Sequence, residues 1–236
     1  MELWAIMKAT WDTPGVSEFL SALLGGGMAI GAQLLVLHHD RKKEDARRRD
    51  EQKGTAWAIY FKISLMFEQF GWALQHLEEA QDRAAANDVE LWQVYQPPAH
   101  DLQTVKLETS ELVLLIDHKH LNIMERYRLA TVWMANLVQT LQKFSQMRFD
   151  FLNSQPADVK GQWGTMSADQ KTIGEMLPKI AFLQSLCGSI EDVVQDQAPR
   201  LRKLLVDYVE VMKPMAGHKP KVEFVDNKKR GKAEAC

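Results

Sequence analysis

The sequence predicts an all-α protein, with one N-terminal transmembrane helix that continues into a cytoplasmic antiparallel helical bundle. Three observations lead to this prediction. A mostly apolar run at residues 15–37 is long enough to cross the roughly 30 Å hydrocarbon layer, which needs about 20 residues in a helix. A charged block at residues 38–53 follows it directly. Beyond that block, apolar residues recur at alternating spacings of three and four, as in helices packed against other helices.

These features divide the chain into five predicted parts. They are a short external or interfacial segment at 1–14, the transmembrane helix at 15–37, a charged juxtamembrane stalk at 38–55, the helical bundle at 56–216, and a basic flexible tail at 217–236.

The charges beside the apolar run predict its orientation. Only Lys8 precedes the run, whereas a cluster of cations follows it: Arg41, Lys42, Lys43, Arg47, Arg48 and Arg49. Because basic residues stay on the cytoplasmic side of a span, we expect the N-terminus outside and the bundle inside, at the inner membrane. A secretory signal has the reverse arrangement, so we expect the span to remain uncleaved. The alternative is a buried core helix, since Glu18, Gln33 and three glycines lower the hydrophobicity of the run.

Small residues in the run indicate helix-to-helix contact within the membrane. Gly27 and Gly31 form a GxxxG pair, and Ser21, Gly25 and Ala29 form a neighbouring stripe, so another helix can approach closely. We therefore expect a homo-oligomer.

Two polar residues lie inside the same run. In an oligomer, Glu18 and Gln33 would line a pore or bond between subunits, because polar side chains in a span face protein or water. The alternative is that each side chain reaches toward the nearer membrane surface.

Composition gives few functional clues. The formal net charge of -2 predicts no specific nucleic-acid partner. The two cysteines, Cys187 and Cys236, are not expected to form a disulfide in a reducing compartment.

The cytoplasmic region predicts four main helices joined by short connections, and hence an antiparallel bundle. The first continues from the stalk to about Asn87, and a brief helix is expected over residues 110–116. The second main helix covers the pattern from Tyr127 to Phe151. Two more helices begin after the break from Pro156 to Gly164 and at Pro199, and Pro178 is expected to kink or restart the first of these two. The predicted core positions on the first two main helices are Tyr60, Ile63, Phe67, Phe70, Leu74, Leu77, Tyr127, Ala130, Met134, Leu137, Leu141, Phe144, Arg148 and Phe151.

Motifs for catalysis are not found. The chain has no phosphate-binding glycine loop, no HExxH and no CxxC, so we expect no enzyme activity and no cofactor. Asp117, His118 and His120 come nearest to a metal-ligand cluster, but residues two apart on a helix point in different directions, so we expect no metal site there.

The glycine-rich span, the charged stalk, the segment from Glu108 to Ala130 and the basic tail together resemble uncharacterised bacterial single-span inner-membrane proteins with a helical cytoplasmic domain. The resemblance implies no catalytic residues. It fits a non-enzymatic interaction module at the cytoplasmic membrane face, whose protein partner is unidentified. The alternative is an oligomeric pore-forming or membrane-disrupting effector, a layout that also occurs in antiphage defence.

Overall fold

The computed structural model describes residues 16–96, 102–154, 170–217 and 220, with side chains for residues 25–96, 102–154, 174–217 and 220. These residues form α-helices and no strand, so the all-α prediction is confirmed for them. The helices are α1 at Val16–Asn87, α2 at Leu91–Val94, α3 at Thr109–Asp117, α4 at Leu121–Asn153 and α5 at Gln170–Ala216. The predicted external segment, and all of the predicted tail except residues 217 and 220, lie outside the described residues.

Two compact units make up the chain, residues 1–52 and residues 53–236. Helix α1 belongs to both, and the charged block is helical, as predicted. The helix also ends at Asn87 as predicted, because Asp88 adopts a left-handed backbone with a φ of 51°, a conformation typical of the residue after a helix.

The predicted transmembrane helix is only partly represented in the structure. Residue 15 and the side chains of residues 16–24 lie outside the described part. Among the residues that are described, no helix has a stretch both long and apolar enough to cross a membrane. The helical conformation of residues 16–37 is therefore shown, and the membrane span stays a prediction.

Helix α1 contributes one stripe of side chains to the core of the second unit. Ile63, Phe70 and Leu77 are fully buried, as predicted, whereas the other three predicted positions are only half-buried: Tyr60, Phe67 and Leu74. Several central positions are instead alanines, whose small side chains leave room for neighbouring helices. The complete buried stripe is Ala56, Ile59, Ile63, Met66, Phe70, Ala73, Leu77, Ala80 and Ala84.

Helix α4 buries nearly every side chain that its pattern predicts. The exception is Arg148, which is half-buried and donates a hydrogen bond from Nη2 to the Gln93 carbonyl at 2.9 Å. The same burial lowers the pKa of this guanidinium.

The C-terminal region differs from the prediction. Residues 170–216 form one helix, and Pro178 and Pro199 lie inside it, so the predicted start of a fourth helix at Pro199 is wrong. Both prolines are exposed, and the buried stripe continues past the second one through Leu201, Leu204 and Tyr208. Burial of this stripe offsets the hydrogen bond that proline cannot make.

The long helices do not alternate in direction as predicted. Helix α5 is antiparallel to α4, because Arg126 contacts Asp207 and Lys143 contacts Phe182. It is also antiparallel to α1. Tyr208 Oη donates a hydrogen bond to the Ala56 carbonyl at 2.7 Å, and Gln81 Nε2 donates to Glu191 Oε1 at 2.7 Å, so later residues of α5 lie beside earlier residues of α1. Helices α1 and α4 are therefore parallel.

The chain must return along the bundle between these two parallel helices. The described residues 102–108 of this return are not helical and lie against α1. The Gln103 backbone N–H donates to Gln69 Oε1 at 3.1 Å, and Lys62 Nζ donates to the Lys106 carbonyl at 2.8 Å. The expected short connection is thus replaced by a segment that follows α1, and the brief predicted helix is α3 at its end.

Replacement of Pro199, one of the prolines inside α5, is expected to stabilise the protein. In Pro199→Ala, a backbone N–H becomes available for the Gln195 carbonyl, and proline in a helix interior is about 3 kcal/mol less favourable than alanine. We expect the free energy of unfolding in urea to rise by about 1 to 3 kcal/mol. The exposed Lys179→Ala on the same helix serves as control, with a change below about 0.5 kcal/mol. A less stable Pro199→Ala would mean that the bundle needs the local backbone shape set by proline.

Candidate interaction surface and buried charge site

The small-residue face of α1, formed by Gly27 and Gly31, is uncovered in the structure. The stripe of Gly25 and Ala29 is uncovered too, but it lies on the opposite side of the helix and not beside the GxxxG pair as predicted, because residues two apart are about 200° apart. Gly25, Gly27, Ala29 and Gly31 are all exposed. A Cβ atom built on any of these three glycines meets nothing within 4 Å. The side chain of Ser21 lies outside the described residues, as does that of Glu18. The described part of the predicted face is therefore open to a second helix.

Large apolar side chains next to this face are also exposed. Every residue from Gly25 to Glu51 is exposed, including Gln33. Because consecutive helical residues are 100° apart, residues 34–37 present apolar groups around the whole circumference of α1. The large apolar side chains and their exposures are Met28 72%, Ile30 61%, Leu34 61%, Leu35 72%, Val36 58% and Leu37 54%.

The basic residues of the stalk also surround the helix. Two triplets of consecutive cations each cover a wide arc of the circumference. Arg47 pairs with Glu44 at 3.4 Å and with Glu51 at 3.3 Å. All six predicted surface cations are exposed: Arg41, Lys42, Lys43, Arg47, Arg48 and Arg49.

A buried carboxylate is the main polar feature of the second unit. The Glu111 side chain is 2% exposed, and its Oε1 lies 2.6 Å from Lys62 Nζ. Its Oε2 accepts hydrogen bonds from Tyr127 Oη at 3.0 Å and from the Glu108 backbone N–H at 3.0 Å. This site joins α3 to α1 and α4.

Burial and the Glu111 carboxylate raise the pKa of two tyrosines near this site. Burial raises the pKa of Tyr127, and the Glu111 carboxylate raises it further. Burial and the same carboxylate also raise the pKa of Tyr208. Tyrosine is already protonated at neutral pH, and the raised pKa values keep both phenols protonated, and able to donate hydrogen bonds, in more alkaline solution as well.

The sequence pattern does not predict this site, since residues 110–116 are mainly apolar. The usable signal was Glu111 at the third position of a short helix, from which a carboxylate reaches back to the backbone N–H that precedes the helix. The identity of its cation, Lys62, depends on the path of the chain between α1 and α4.

The histidines after α3 are arranged differently from the expectation. Lys119 adopts a left-handed backbone with a φ of 61°, so His118 and His120 lie in a turn and not along a helix. Their rings are parallel, with centroids 6.5 Å apart. Among the described residues, no group of three or more His, Cys, Asp or Glu side chains is placed to hold a metal ion.

The aromatic residues outside the predicted core have three different environments. Trp92 is buried and packs edge to face on Phe151, whereas Trp72 is half-buried and packs edge to face on His76 at 4.5 Å. Phe61 is 62% exposed and contacts the neighbouring aromatic rings of α1. Only Phe61 of these three presents most of its side chain to the surface.

Comparison of the chain with protein-family models, curated proteins and solved structures gave no match.

Loss of the cation at the buried site should destabilise the bundle. In Lys62→Met the Glu111 carboxylate stays buried without its counter-ion, a change that typically costs 3–5 kcal/mol. Because Lys62 keeps some contact with water, we expect a loss of about 3 kcal/mol in the free energy of unfolding. Urea titration measures this change.

Two variants separate loss of the pair from other effects. The double variant Lys62→Met/Glu111→Gln has no buried charge and should recover part of the loss. Lys179→Met removes an exposed lysine from α5 and should change the stability by less than about 0.5 kcal/mol. Equal losses in the single and double variants would show that the unpaired carboxylate is not the cause, and would assign the loss to other contacts of Lys62, such as its hydrogen bond to the Lys106 carbonyl.

The histidine turn should make the stability sensitive to acid. Burial and the neighbouring His118 lower the pKa of His120. Below the ordinary histidine pKa of about 6.5, the unfolded chain therefore binds the proton more readily, and acid favours unfolding. Between about pH 7 and pH 5 we expect the native protein to lose more stability than His120→Gln, measured by urea titration at each pH. Parallel pH profiles for the two proteins would exclude this contribution.

Proposed function

We propose that this protein is a non-enzymatic interaction and oligomerisation module anchored in the inner membrane by residues 15–37, with its bundle at the cytoplasmic face. One observation carries the proposal: a helical segment with large apolar side chains on all sides is uncovered in the described structure. The apolar sequence of residues 15–24 extends this segment toward the length that a bilayer requires.

Water is an unfavourable environment for this segment. Each Å² of apolar surface removed from water contributes roughly 25 cal/mol, and exposed apolar patches of this kind are typical of contact with membrane or protein. A one-sided groove would leave part of the circumference wet, because residues 34–37 point in all directions. Lipid, or lipid together with other copies of the helix, covers the whole circumference.

The charged stalk favours the proposed orientation. Cations near an anionic leaflet gain about 1 kcal/mol each. Because Arg41 to Lys43 and Arg47 to Arg49 lie around the helix, some of them meet the headgroups at any rotation of α1. The proposed function follows from this placement: confinement to a membrane raises the effective concentration, so weak contacts of the bundle with partners or other copies suffice.

A second candidate is an oligomeric pore or membrane-disrupting effector. It is favoured by Gln33, a polar side chain exposed within the apolar segment, together with Glu18 in the sequence of the same run. In an oligomer packed through the small-residue face, such groups face water or other subunits. The two candidates share the anchor and differ in whether membrane permeability depends on Gln33.

An arginine in the apolar run should abolish anchoring. In Ile30→Arg, insertion becomes less favourable by about 2.5 to 3.5 kcal/mol if residue 30 is near the bilayer centre, and by less near a surface. We expect the native protein to stay in the membrane pellet after alkaline carbonate extraction, with a large part of Ile30→Arg in the supernatant. Phe61→Arg changes another exposed apolar residue of α1 outside the run and should stay in the pellet. Extraction of the native protein by carbonate would refute the anchor.

The small-residue face should control the oligomeric state. Gly27→Leu/Gly31→Leu is tolerated by the described fold, since added side chains meet nothing there, but it blocks close helix approach. Light scattering in mild detergent should show an oligomer for the native protein and a smaller species for this variant. Gly26→Leu lies on another side of the helix and should leave the oligomer intact. A monomeric native protein, or an unchanged variant, would refute assembly through this face.

A further inference from the structure

Helices α4 and α5 form a surface groove of about 380 Å³ within the second unit. Among the described residues, three cations and no carboxylate line it: Arg126, Arg200 and Lys203. The half-buried Trp133 and the buried Leu201 line it as well. The groove therefore combines positive charge with an aromatic and aliphatic surface.

The cations of the groove are only partly neutralised by their neighbours. Arg126 Nη1 lies 2.5 Å from Asp207 Oδ2, and Arg200 Nη2 lies 2.8 Å from Asp196 Oδ1. Each ion pair uses one nitrogen of a guanidinium that has five N–H donors, so further donors are available to a ligand. Lys203 is exposed and makes no ion pair within the described part of the chain. The local balance of three cations to two carboxylates favours an anionic ligand.

The cations and the indole are spread along the groove. Trp133 comes two turns after Arg126 on the same face of α4, so the two positions are about 10 Å apart along the helix. Asp207 of the antiparallel α5 contacts Arg126. Arg200 comes two turns before Asp207 and therefore lies near the level of Trp133. Lys203 lies between the two levels, so the groove has a purely cationic end and an end with both a cation and an indole.

This arrangement fits an elongated ligand with an anionic end and a flat end. Guanidinium and ammonium groups bind phosphate oxygens through charge-assisted hydrogen bonds. Indole rings and guanidinium planes stack on nucleobases. An inorganic phosphate would leave Trp133 without a contact, and a nucleoside would leave the cationic end without one. The groove volume lies within the range of small-molecule sites, about 300 to 1,000 Å³.

We infer that this groove binds a mononucleotide, with Arg126 and Lys203 on the phosphate and the base against Trp133 and Arg200. Side chains hold the phosphate here, in a chain that has no phosphate-binding glycine loop. The bound nucleotide contacts both α4 and α5, and it stabilises the folded bundle because the unfolded chain has no such groove. The inference goes beyond the proposed membrane anchor, since every residue it uses belongs to the second unit.

The test is calorimetric titration of the full chain in a mild non-ionic detergent. The probes are the 5′-monophosphates of adenosine, guanosine, cytidine and uridine, with the four nucleosides and inorganic phosphate titrated separately. We expect at least one nucleotide to bind at least about fivefold more tightly than its own nucleoside and than inorganic phosphate. Only the nucleotide gains both the base stacking and the charge-assisted hydrogen bonds, each of which contributes about that factor or more.

Two pairs of variants assign the binding to this groove. Trp133→Leu keeps an apolar side chain but loses the flat ring, so it should bind the nucleotide at least about fivefold more weakly, whereas Trp133→Phe should keep most of the affinity. Lys203→Glu should weaken binding at least about fivefold, because it removes a phosphate donor and adds a repulsive charge. Lys179→Glu makes the same charge change at an exposed position of α5 outside the groove and should have no effect.

The contrary outcomes are distinct. Dissociation constants above about 1 mM for all four nucleotides would refute the site. Phosphate that binds as tightly as the nucleotides, or equal affinities in Trp133→Leu and Trp133→Phe, would show a general anion site and overturn the assignment to a nucleotide. A single-stranded oligonucleotide that binds far more tightly than every mononucleotide would assign the groove to nucleic acid instead. None of these results bears on the membrane anchor, which carbonate extraction tests separately.

Discussion

Burial of the Glu111 carboxylate is the constraint on which the arrangement of the bundle depends. A buried charge is costly unless it is paired and hydrogen-bonded, and the partners here come from separate elements. Lys62 belongs to α1, Tyr127 belongs to α4, and the Glu108 N–H begins α3. Because all of these contacts are needed together, the position of α3 fixes how α1 and α4 lie beside each other.

The parallel direction of α1 and α4 gives this site its structural role. Two parallel neighbours require the chain to return along the bundle, and residues 102–108 make that return against α1 with few backbone hydrogen bonds of their own. Side chains of α1 meet part of this need: Gln69 accepts from Gln103, and Lys62 donates to Lys106. Lys62 thus contacts both the return segment and the helix that ends it.

Local patterns predicted individual helices better than their connections. The seam of α4 was predicted almost completely because its large apolar residues are also the buried ones. On α1 the large residues Tyr60 and Phe67 flank a centre that includes alanines, which carry too little hydrophobic signal to mark it. Pro199 wrongly predicts a helix start because the burial of Leu201 and Leu204 against other helices, which lets the helix continue, is not visible in a single sequence. The partner of Glu111 was hidden for the same reason.

Two patterns within α1 indicate two different environments. Between Ala56 and Ala84 the buried residues recur every three or four positions, which is what packing on one side of a helix requires. Between Leu34 and Leu37 large apolar residues occupy four successive positions, so no single packed neighbour covers them all. A surrounding apolar medium meets that requirement, and a glycine face within it allows one helix to approach another without exposing either. The same helix is thus suited to packing within the bundle and to the membrane contact that we propose.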